Sequence, residues 1–139
     1  MATPVESAQL ILKLFELRRE PTLRDARNWW LREFHPETID DVKKALASDR
    51  NPSYRMVVGY WDMACSLVTH GAIDRQMFLD ANGEVFGTYS KIELLIDEVR
   101  AASPNPQFAK HLQALVESVP DVKQRLAAFR ARLKPAPKA

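Results

Sequence analysis

Histidine and cysteine are the residues of this chain that could hold a metal or attack a substrate. The 139 residues contain three histidines, His35, His70 and His111, and one cysteine, Cys65. No two histidines are four residues apart, the spacing that lets one helix hold zinc with two imidazoles. No glutamate lies three residues before a histidine, so the Glu-x-x-His pattern of di-iron bundles is absent. The sequence therefore predicts no catalytic residue, no metal and no cofactor.

Nucleotide-binding fingerprints are missing as well. The four glycines form neither a Gly-x-Gly-x-x-Gly turn nor a phosphate loop ending in Gly-Lys-Ser or Gly-Lys-Thr. Cys65 lies among apolar residues at helical spacing, where burial raises the pKa of a thiol and leaves it inert. We expect it to be a small buried side chain and the protein not to be an enzyme.

The composition is that of one globular domain. Hydrophobic residues make up 46% and charged residues 27%, and a chain of this length can bury a core of its own. Twenty basic residues against eighteen acidic ones give a net charge of +2, which does not call for a polyanionic partner. No run of about 18 apolar residues occurs. The N-terminal residues also lack the charged segment followed by an apolar one that is typical of a signal peptide. We expect a soluble cytoplasmic protein without a transmembrane segment.

Apolar residues recur at helical spacing between prolines, and no long segment alternates with a period of two. This pattern predicts eight helices, over residues 4–19, 22–35, 38–47, 52–70, 74–81, 84–102, 108–116 and 120–133. We expect an all-α, antiparallel bundle without a sheet, built as a single domain over residues 1–133. The two longest helices, 52–70 and 84–102, should form its central pair. Residues 134–139, rich in proline and lysine, should form a flexible tail.

Capping signals mark several helix ends. Thr3 followed by Pro4 and Glu6 predicts a capping box at the first helix. Gly71 predicts a left-handed residue that ends the fourth helix. Apolar residues of the first helix form a stripe that should face the core: Val5, Ala8, Ile11, Leu12 and Phe15.

Two candidates for binding a partner lie beside apolar stripes. Trp29 and Trp30 are adjacent, so on a helix they point about 100° apart. Trp29 should then lie at the edge of the core. It is either partly exposed, as interface tryptophans often are, or packed under a neighbouring loop. Asp62 is one residue off the apolar stripe of the fourth helix. It could bind a partner or ligand, or simply pair with a cation such as Arg55 or Arg100.

The last helix is basic, with six basic residues and one acidic residue from Asp121 to the end of the chain. Its cations flank the apolar stripe, with Lys123, Arg130 and Lys134 on one side and Arg125 and Arg132 on the other. Such a helix could bind nucleic acid or the surface of an anionic membrane. It could equally pack on the core with its cations reaching out to water.

Two acidic residues lie four apart on the predicted sixth helix, Glu93 and Asp97. They should share one face, where like charges repel by a few tenths of a kcal/mol. A cation or a basic partner would relieve this repulsion. The alternative is an ordinary solvated face.

A longer stretch carries a family resemblance. From Tyr54 to Asp74 the chain combines an aromatic-rich helix, an acidic residue and a Gly-Ala-Ile-Asp ending, and Phe86 and Tyr89 follow near the start of the next long helix. Over residues 29–116 this resembles a bacterial domain family of unknown function. Where that family usually has Asn-Tyr-x-Glu, this chain has Gly-Tyr-Trp-Asp at positions 59–62. The resemblance implies a helical, non-catalytic domain.

The leading hypothesis is a module for protein interaction or regulation, with an unidentified protein or a second copy of itself as the partner. One alternative is a binder of nucleic acid or an anionic surface, using the last helix with Arg18 and Arg19. Nucleic acid is the less expected partner. The other alternative is a small-ligand-binding bundle that uses Asp62, His70 and Glu93.

Overall fold

The structure is a computed structural model that describes residues 2–135. These residues form nine α-helices and one short 3₁₀-helix, with no strand among them. The helices are α1 (Pro4–Arg18), α2 (Pro21–Arg32), α3 (Ile39–Ala47), α4 (Asn51–Thr69), α5 (Arg75–Ala81), α6 (Glu84–Ser90), the 3₁₀-helix (Glu93–Leu95), α7 (Ile96–Ala102), α8 (Lys110–Glu117) and α9 (Val122–Leu133). Across the part of the chain described, the prediction of an all-α fold without a sheet is confirmed.

The predicted helix caps are largely present. Thr3 and Glu6 form the capping box of α1, because the Thr3 hydroxyl accepts from the Glu6 N–H over 3.1 Å and the Glu6 carboxylate accepts from the Thr3 N–H over 3.0 Å. Gly71 has φ +83° and ends α4 as expected. α2 begins earlier than predicted, since its capping side chain is Glu20, which accepts from the Leu23 N–H over 2.9 Å.

The predicted sixth helix is not continuous, which corrects the expectation for residues 84–102. It breaks after Ser90 into the 3₁₀-helix and α7. The break buries both Lys91 and Glu93, which are 5% exposed, and turns Leu94 outward, where it is 71% exposed. Lys91 donates to Leu31 in α2 and to Phe34 just after it, and Glu93 accepts from Arg130 in α9. A regular helix would not place these neighbouring side chains against both elements.

The central element is α4, which packs against α2 on one side and α8 on another, whereas α6 packs mainly against α9 and α8. The expected central pair of helices 52–70 and 84–102 is therefore wrong. The physical reason is length: α6 has seven residues and spans about 10 Å, too short to run along the 19 residues of α4. Trp30 and Trp61 are fully buried in this core, and the Trp30 indole N–H donates to the Thr88 carbonyl oxygen over 3.0 Å.

The first helix faces the core with a side about 90° away from the predicted one, and Ile11 is the member of the predicted stripe that packs against the core. Its buried residues are Ser7 and Leu14, whereas Val5, Leu12 and Phe15 are 66%, 64% and 48% exposed. The Ser7 hydroxyl accepts from the Asp74 N–H over 2.9 Å, and the Leu14 carbonyl accepts from the Tyr60 hydroxyl over 2.6 Å. These bonds hold α1 in an orientation that leaves Val5, Leu12 and Phe15 open to solvent.

The expected tail lies partly outside the described residues, which end at 135. Lys134, its first residue, donates to the Glu37 carboxylate over 2.8 Å. Both side chains are largely exposed, 60% for Lys134 and 67% for Glu37. The start of the segment therefore contacts the loop that follows α2.

Candidate functional site

The exposed apolar side of α1 is the largest departure from an ordinary helical surface. Val5, Ala8, Leu12 and Phe15 follow one another at spacings of three, four and three residues. We call these four residues the α1 face. This is the a/d spacing of a coiled-coil seam. Ala8 is half-buried, and the other three are exposed. In a folded domain such a seam is normally covered by another helix.

Two guanidinium groups frame one end of the α1 face. The Arg18 guanidinium carbon lies 5.1 Å from the centroid of the Phe15 ring, and that of Arg19 lies 6.0 Å away. Arg18 also lies 5.7 Å from the centroid of the buried Trp61 ring. These cation–π contacts hold Phe15 against the body of the domain without burying it.

A second feature is a cleft where the loop after α2, the segment after α6 and the end of α9 meet. Its volume is about 330 Å³. Six of its lining residues carry the argument below: His35, Glu37, Lys91, Leu94, Arg130 and Lys134. We call it the basic cleft, because three of these side chains are cationic and one is a carboxylate.

Lys91 is the buried cation of the basic cleft. Its ammonium group donates to the carbonyl oxygens of Leu31 and Phe34 over 3.0 and 2.8 Å, and to Nδ1 of His35 over 2.7 Å. None of these three acceptors carries a negative charge. Burial lowers the pKa of Lys91 to about 8. The Leu31 carbonyl belongs to the last turn of α2, where the helix dipole favours a cation, and Phe34 follows that helix.

His35 is held in one tautomer by its two contacts. Nδ1 must be unprotonated to accept from Lys91, so the ring proton lies on Nε2, which donates to the Arg32 carbonyl over 2.8 Å. Burial lowers the pKa of His35, and the ammonium groups of Lys91 and Lys134 lower it further. The hydrogen bond to the Arg32 carbonyl raises this pKa, but the net shift is downward. His35 is therefore a neutral acceptor in the cleft at neutral pH.

Glu93 lies beneath α9 against two cations, so the alternative of a solvated face is wrong for Glu93, although Asp97 is exposed. The Glu93 side chain is 1% exposed, and its two oxygens accept from Lys123 over 2.9 Å and from Arg130 over 2.7 Å. Burial opposes its charge, but these two bonds outweigh burial and lower the pKa of Glu93. The carboxylate thus ties α9 to the segment after α6.

The cations of α9 divide as the sequence predicted. Lys123, Arg130 and Lys134 point to one side and contact Glu93 or Glu37. On the other side Arg125 and Arg132 are exposed, and the Arg125 guanidinium carbon lies 4.2 Å from the centroid of the Phe86 ring. Much of the positive charge proposed for nucleic acid or a membrane is therefore engaged within the domain.

Trp29 is 7% exposed, which agrees with packing under a neighbouring segment and not with a partly exposed anchor. Its ring stacks on Phe34 at 4.9 Å between centroids, and the Arg50 guanidinium carbon lies 5.8 Å from the centroid of the indole. Phe34 follows the end of α2, so the chain turns back and covers Trp29. The adjacent Trp30 is buried as well, on the side of α2 that meets α4 and α6, while the other side of α2 is exposed.

Asp62 pairs with neither Arg55 nor Arg100. Its Oδ1 accepts from the backbone N–H of Leu112 over 2.9 Å, at the start of α8. Arg100 instead donates to the Phe108 carbonyl and to the Gln113 side chain. Asp62 therefore holds two helices together.

The groups named for a small-ligand site do not converge. Asp62 contacts Leu112, the His70 ring contacts the Ser66 carbonyl, and Glu93 contacts α9. The rings of His70 and His111 lie 5.5 Å apart between centroids, while His35 contacts Lys91. Within residues 2–135, no group of three or more histidine, cysteine, aspartate or glutamate side chains could hold a metal.

Cys65 is fully buried, as predicted. Burial raises the pKa of its thiol, and the charge of Asp62 raises it further. The thiol is therefore inert in the folded protein.

The sequence did not single out Lys91 or His35. Helical periodicity places Lys91 off the apolar stripe of a helix over residues 84–102, where a lysine is normally solvated. Only the break after Ser90 brings it under the end of α2. No signal in the sequence marks that break.

A family model described as a domain of unknown function (DUF4760) matches residues 3–119. The chain belongs to the DUF4760 family. This confirms the resemblance to a family of unknown function and extends it to α1. The DUF4760 match ends before α9, which supplies Arg130 and Lys134 to the basic cleft. Comparison with curated proteins and with solved structures found no match. Among the described residues, no helix is long and apolar enough to cross a membrane.

Proposed function

We propose that this DUF4760 domain is a non-catalytic interaction module that pairs with a second copy of itself through the α1 face. The observation that carries the proposal is the exposure of Val5, Leu12 and Phe15 on one side of a capped helix. Covering apolar area is the dominant favourable term in protein association. The proposed compartment is the cytoplasm, where a single free thiol is common.

A second copy is favoured because the α1 face complements itself. When two α1 helices pack antiparallel, Val5 lies opposite Phe15 of the second copy, and Ala8 lies opposite Leu12 of the second copy. Each layer then pairs a smaller side chain with a larger one. The same contacts occur twice about a two-fold axis, as in the commonest kind of homodimer. Antiparallel packing also places the N-terminus of each helix dipole beside the C-terminus of the other.

The seam is short, so the proposed dimer is weak. Val5 and Phe15, the first and last of the four, are ten residues apart, which is about 15 Å of helix. That contact is smaller than the roughly 1,200 Å² typical of stable interfaces. We therefore expect a dimer that forms in the micromolar range or above and dissociates on dilution.

Sedimentation velocity from low micromolar to near-millimolar concentration tests the proposal. The weight-average mass should rise toward that of a dimer, and Leu12→Glu should keep the protein monomeric. Leu17→Glu is the matched control, because Leu17 is 42% exposed on the opposite side of α1. A monomer at every concentration, or equal loss of association in both variants, would overturn the proposal.

Cross-linking tests the orientation. A mixture of Ala8→Cys and Leu12→Cys proteins should form a disulfide-linked heterodimer, whereas Leu12→Cys alone should cross-link poorly. Cys65 does not interfere because it is fully buried. Preferred cross-linking of Leu12→Cys with itself would contradict the antiparallel arrangement. Binding of the monomer to anionic vesicles, lost in Leu12→Glu, would instead assign the α1 face to lipid.

A further inference from the structure

The basic cleft holds a buried cation without a negative partner. Lys91 is 5% exposed, and its three hydrogen bonds go to two carbonyl oxygens and one neutral imidazole nitrogen. A buried charge is costly unless an opposite charge compensates it. Because all three ammonium protons are used, Lys91 acts on a ligand through its charge and not through a hydrogen bond.

Arg130 and Lys134 can supply the hydrogen bonds. Both bonds that Arg130 makes to described residues, with the Ser90 carbonyl and Glu93, come from Nη1. Its Nε and Nη2 protons remain for a ligand. The Lys134 ammonium pairs only with the exposed Glu37 among the described residues, and surface ion pairs of this kind are weak. An incoming anion can therefore replace Glu37.

One wall of the cleft is apolar. Leu94 is 71% exposed although it is a large hydrophobic side chain, and Pro36 and Leu95 also line the cleft. The volume of about 330 Å³ is at the small end of the range for ligand pockets. A molecule that fits this lining has one anionic group and a short hydrocarbon part.

We propose that the basic cleft is a binding site for a small organic acid. The carboxylate lies between Arg130 and Lys134, and the hydrocarbon part lies on Leu94. The forked donors of Arg130 suit the two oxygens of a carboxylate. The bound anion displaces Glu37 from Lys134 and compensates the charge of Lys91. This inference is independent of the α1 face, because no residue of α1 is among those that line the cleft.

Isothermal titration calorimetry with octanoate tests the proposal, with octan-1-ol and inorganic phosphate as comparison probes. We expect saturable binding of octanoate at one site, and at least about tenfold weaker binding of octan-1-ol, because the alcohol lacks the charge. Phosphate should also bind more weakly, since it makes no contact with the apolar wall. Equal binding of octanoate and octan-1-ol, or no octanoate binding, would overturn the proposal.

Variants locate the site. Lys134→Gln and Leu94→Gln change exposed side chains and should each weaken octanoate binding several-fold, and only Lys134→Gln should also weaken phosphate binding. Arg130→Lys keeps the positive charge next to Glu93 but loses the paired N–H donors of the guanidinium group, and should weaken octanoate binding about tenfold. Arg132→Gln, on the other side of α9, is the control and should bind normally. Wild-type affinity in both Lys134→Gln and Leu94→Gln would overturn the assignment to this cleft.

Discussion

Asp62 in α4 caps α8 from a different helix. Its Oδ1 lies 2.9 Å from the backbone nitrogen of Leu112, the third residue of α8. Ala109, which precedes α8, has φ +57° and no side-chain oxygen with which to cap it. The bond that an N-cap residue normally supplies therefore comes from a side chain 50 positions earlier.

Removing this cap should destabilise the domain. Asp62→Ala should lower the free energy of unfolding by about 1 kcal/mol, the usual cost of losing an N-cap. Asp62→Asn should cost less, because an amide oxygen still accepts from the Leu112 N–H. Urea denaturation followed by circular dichroism measures both. Equal losses in the two variants would show that the hydrogen bond is not the source of the effect.

Two buried tyrosines should respond differently to loss of the hydroxyl. The Tyr54 hydroxyl is buried and has no hydrogen-bond partner among the described residues. The Tyr60 hydroxyl donates to the Leu14 carbonyl over 2.6 Å. We expect Tyr54→Phe to leave stability unchanged or raise it, and Tyr60→Phe to cost about 1 kcal/mol. Urea denaturation of the matched pair checks this, and a larger loss in Tyr54→Phe would contradict it.

Glu93 should contribute stability that disappears in acid. Its pKa is lower in the folded state than in the unfolded state, so the folded state binds fewer protons. The contribution is present above about pH 4.5 and is lost as the pH falls through the folded pKa. At neutral pH, Glu93→Gln should cost about 2 kcal/mol, typical of hydrogen bonds to a charged group.

The acid-pH test compares stability curves for Glu93→Gln and wild type from pH 3 to 7. The difference between them should shrink toward acid pH. Glu98→Gln, at an exposed position of α7, is the control, and its stability should depend on pH in the same way as that of wild type. A constant difference across this range would contradict the role of the Glu93 charge.

Lys91 should make the domain more stable as the pH rises above 8. Its folded pKa is about 8, whereas an unfolded lysine titrates near 10.4. Between these values the unfolded state binds more protons, so stability increases with pH. The slope can approach about 1.4 kcal/mol per pH unit.

The alkaline test measures unfolding by urea from pH 7 to 9.5 in wild type, Lys91→Met and Lys110→Met. The rise should be absent in Lys91→Met and present in Lys110→Met, since Lys110 is exposed. The range stops at 9.5 because burial raises the pKa of Tyr60 to about 12, which makes stability fall again at higher pH. A rise that persists in Lys91→Met would contradict the assignment.

Local signals predicted the helices well. The capping box at Thr3, the turn at Gly71 and the burial of Cys65 all follow from residues within a few positions of one another. The predicted helix boundaries were wrong where a group from a distant part of the sequence made the deciding contact. Glu20 caps α2, so this helix begins before the predicted residue 22, and the helix predicted over 84–102 breaks where Lys91 and Glu93 contact other elements.

The candidate sites were harder to predict. Arg130 was among the candidate residues, but its place in a cleft with Lys91 and His35 depends on three separate segments meeting. Trp29 was expected at the edge of the core because adjacent residues on a helix diverge, and only the structure shows that the chain after α2 folds back and places Phe34 on it. In both cases the deciding contact joins two elements of the fold, and helical periodicity does not encode how those elements are arranged.

The amino-acid sequence by itself determined the helical class, most of the caps and the absence of nucleotide-binding fingerprints, because these depend on spacing along the chain. Only the tertiary structure decided which side of α1 meets the core and which charges are buried. The two bonds that orient α1 reach residues 67 and 46 positions away. An amphipathic pattern says that a helix has an apolar side, but the contacts available from distant elements decide where that side points.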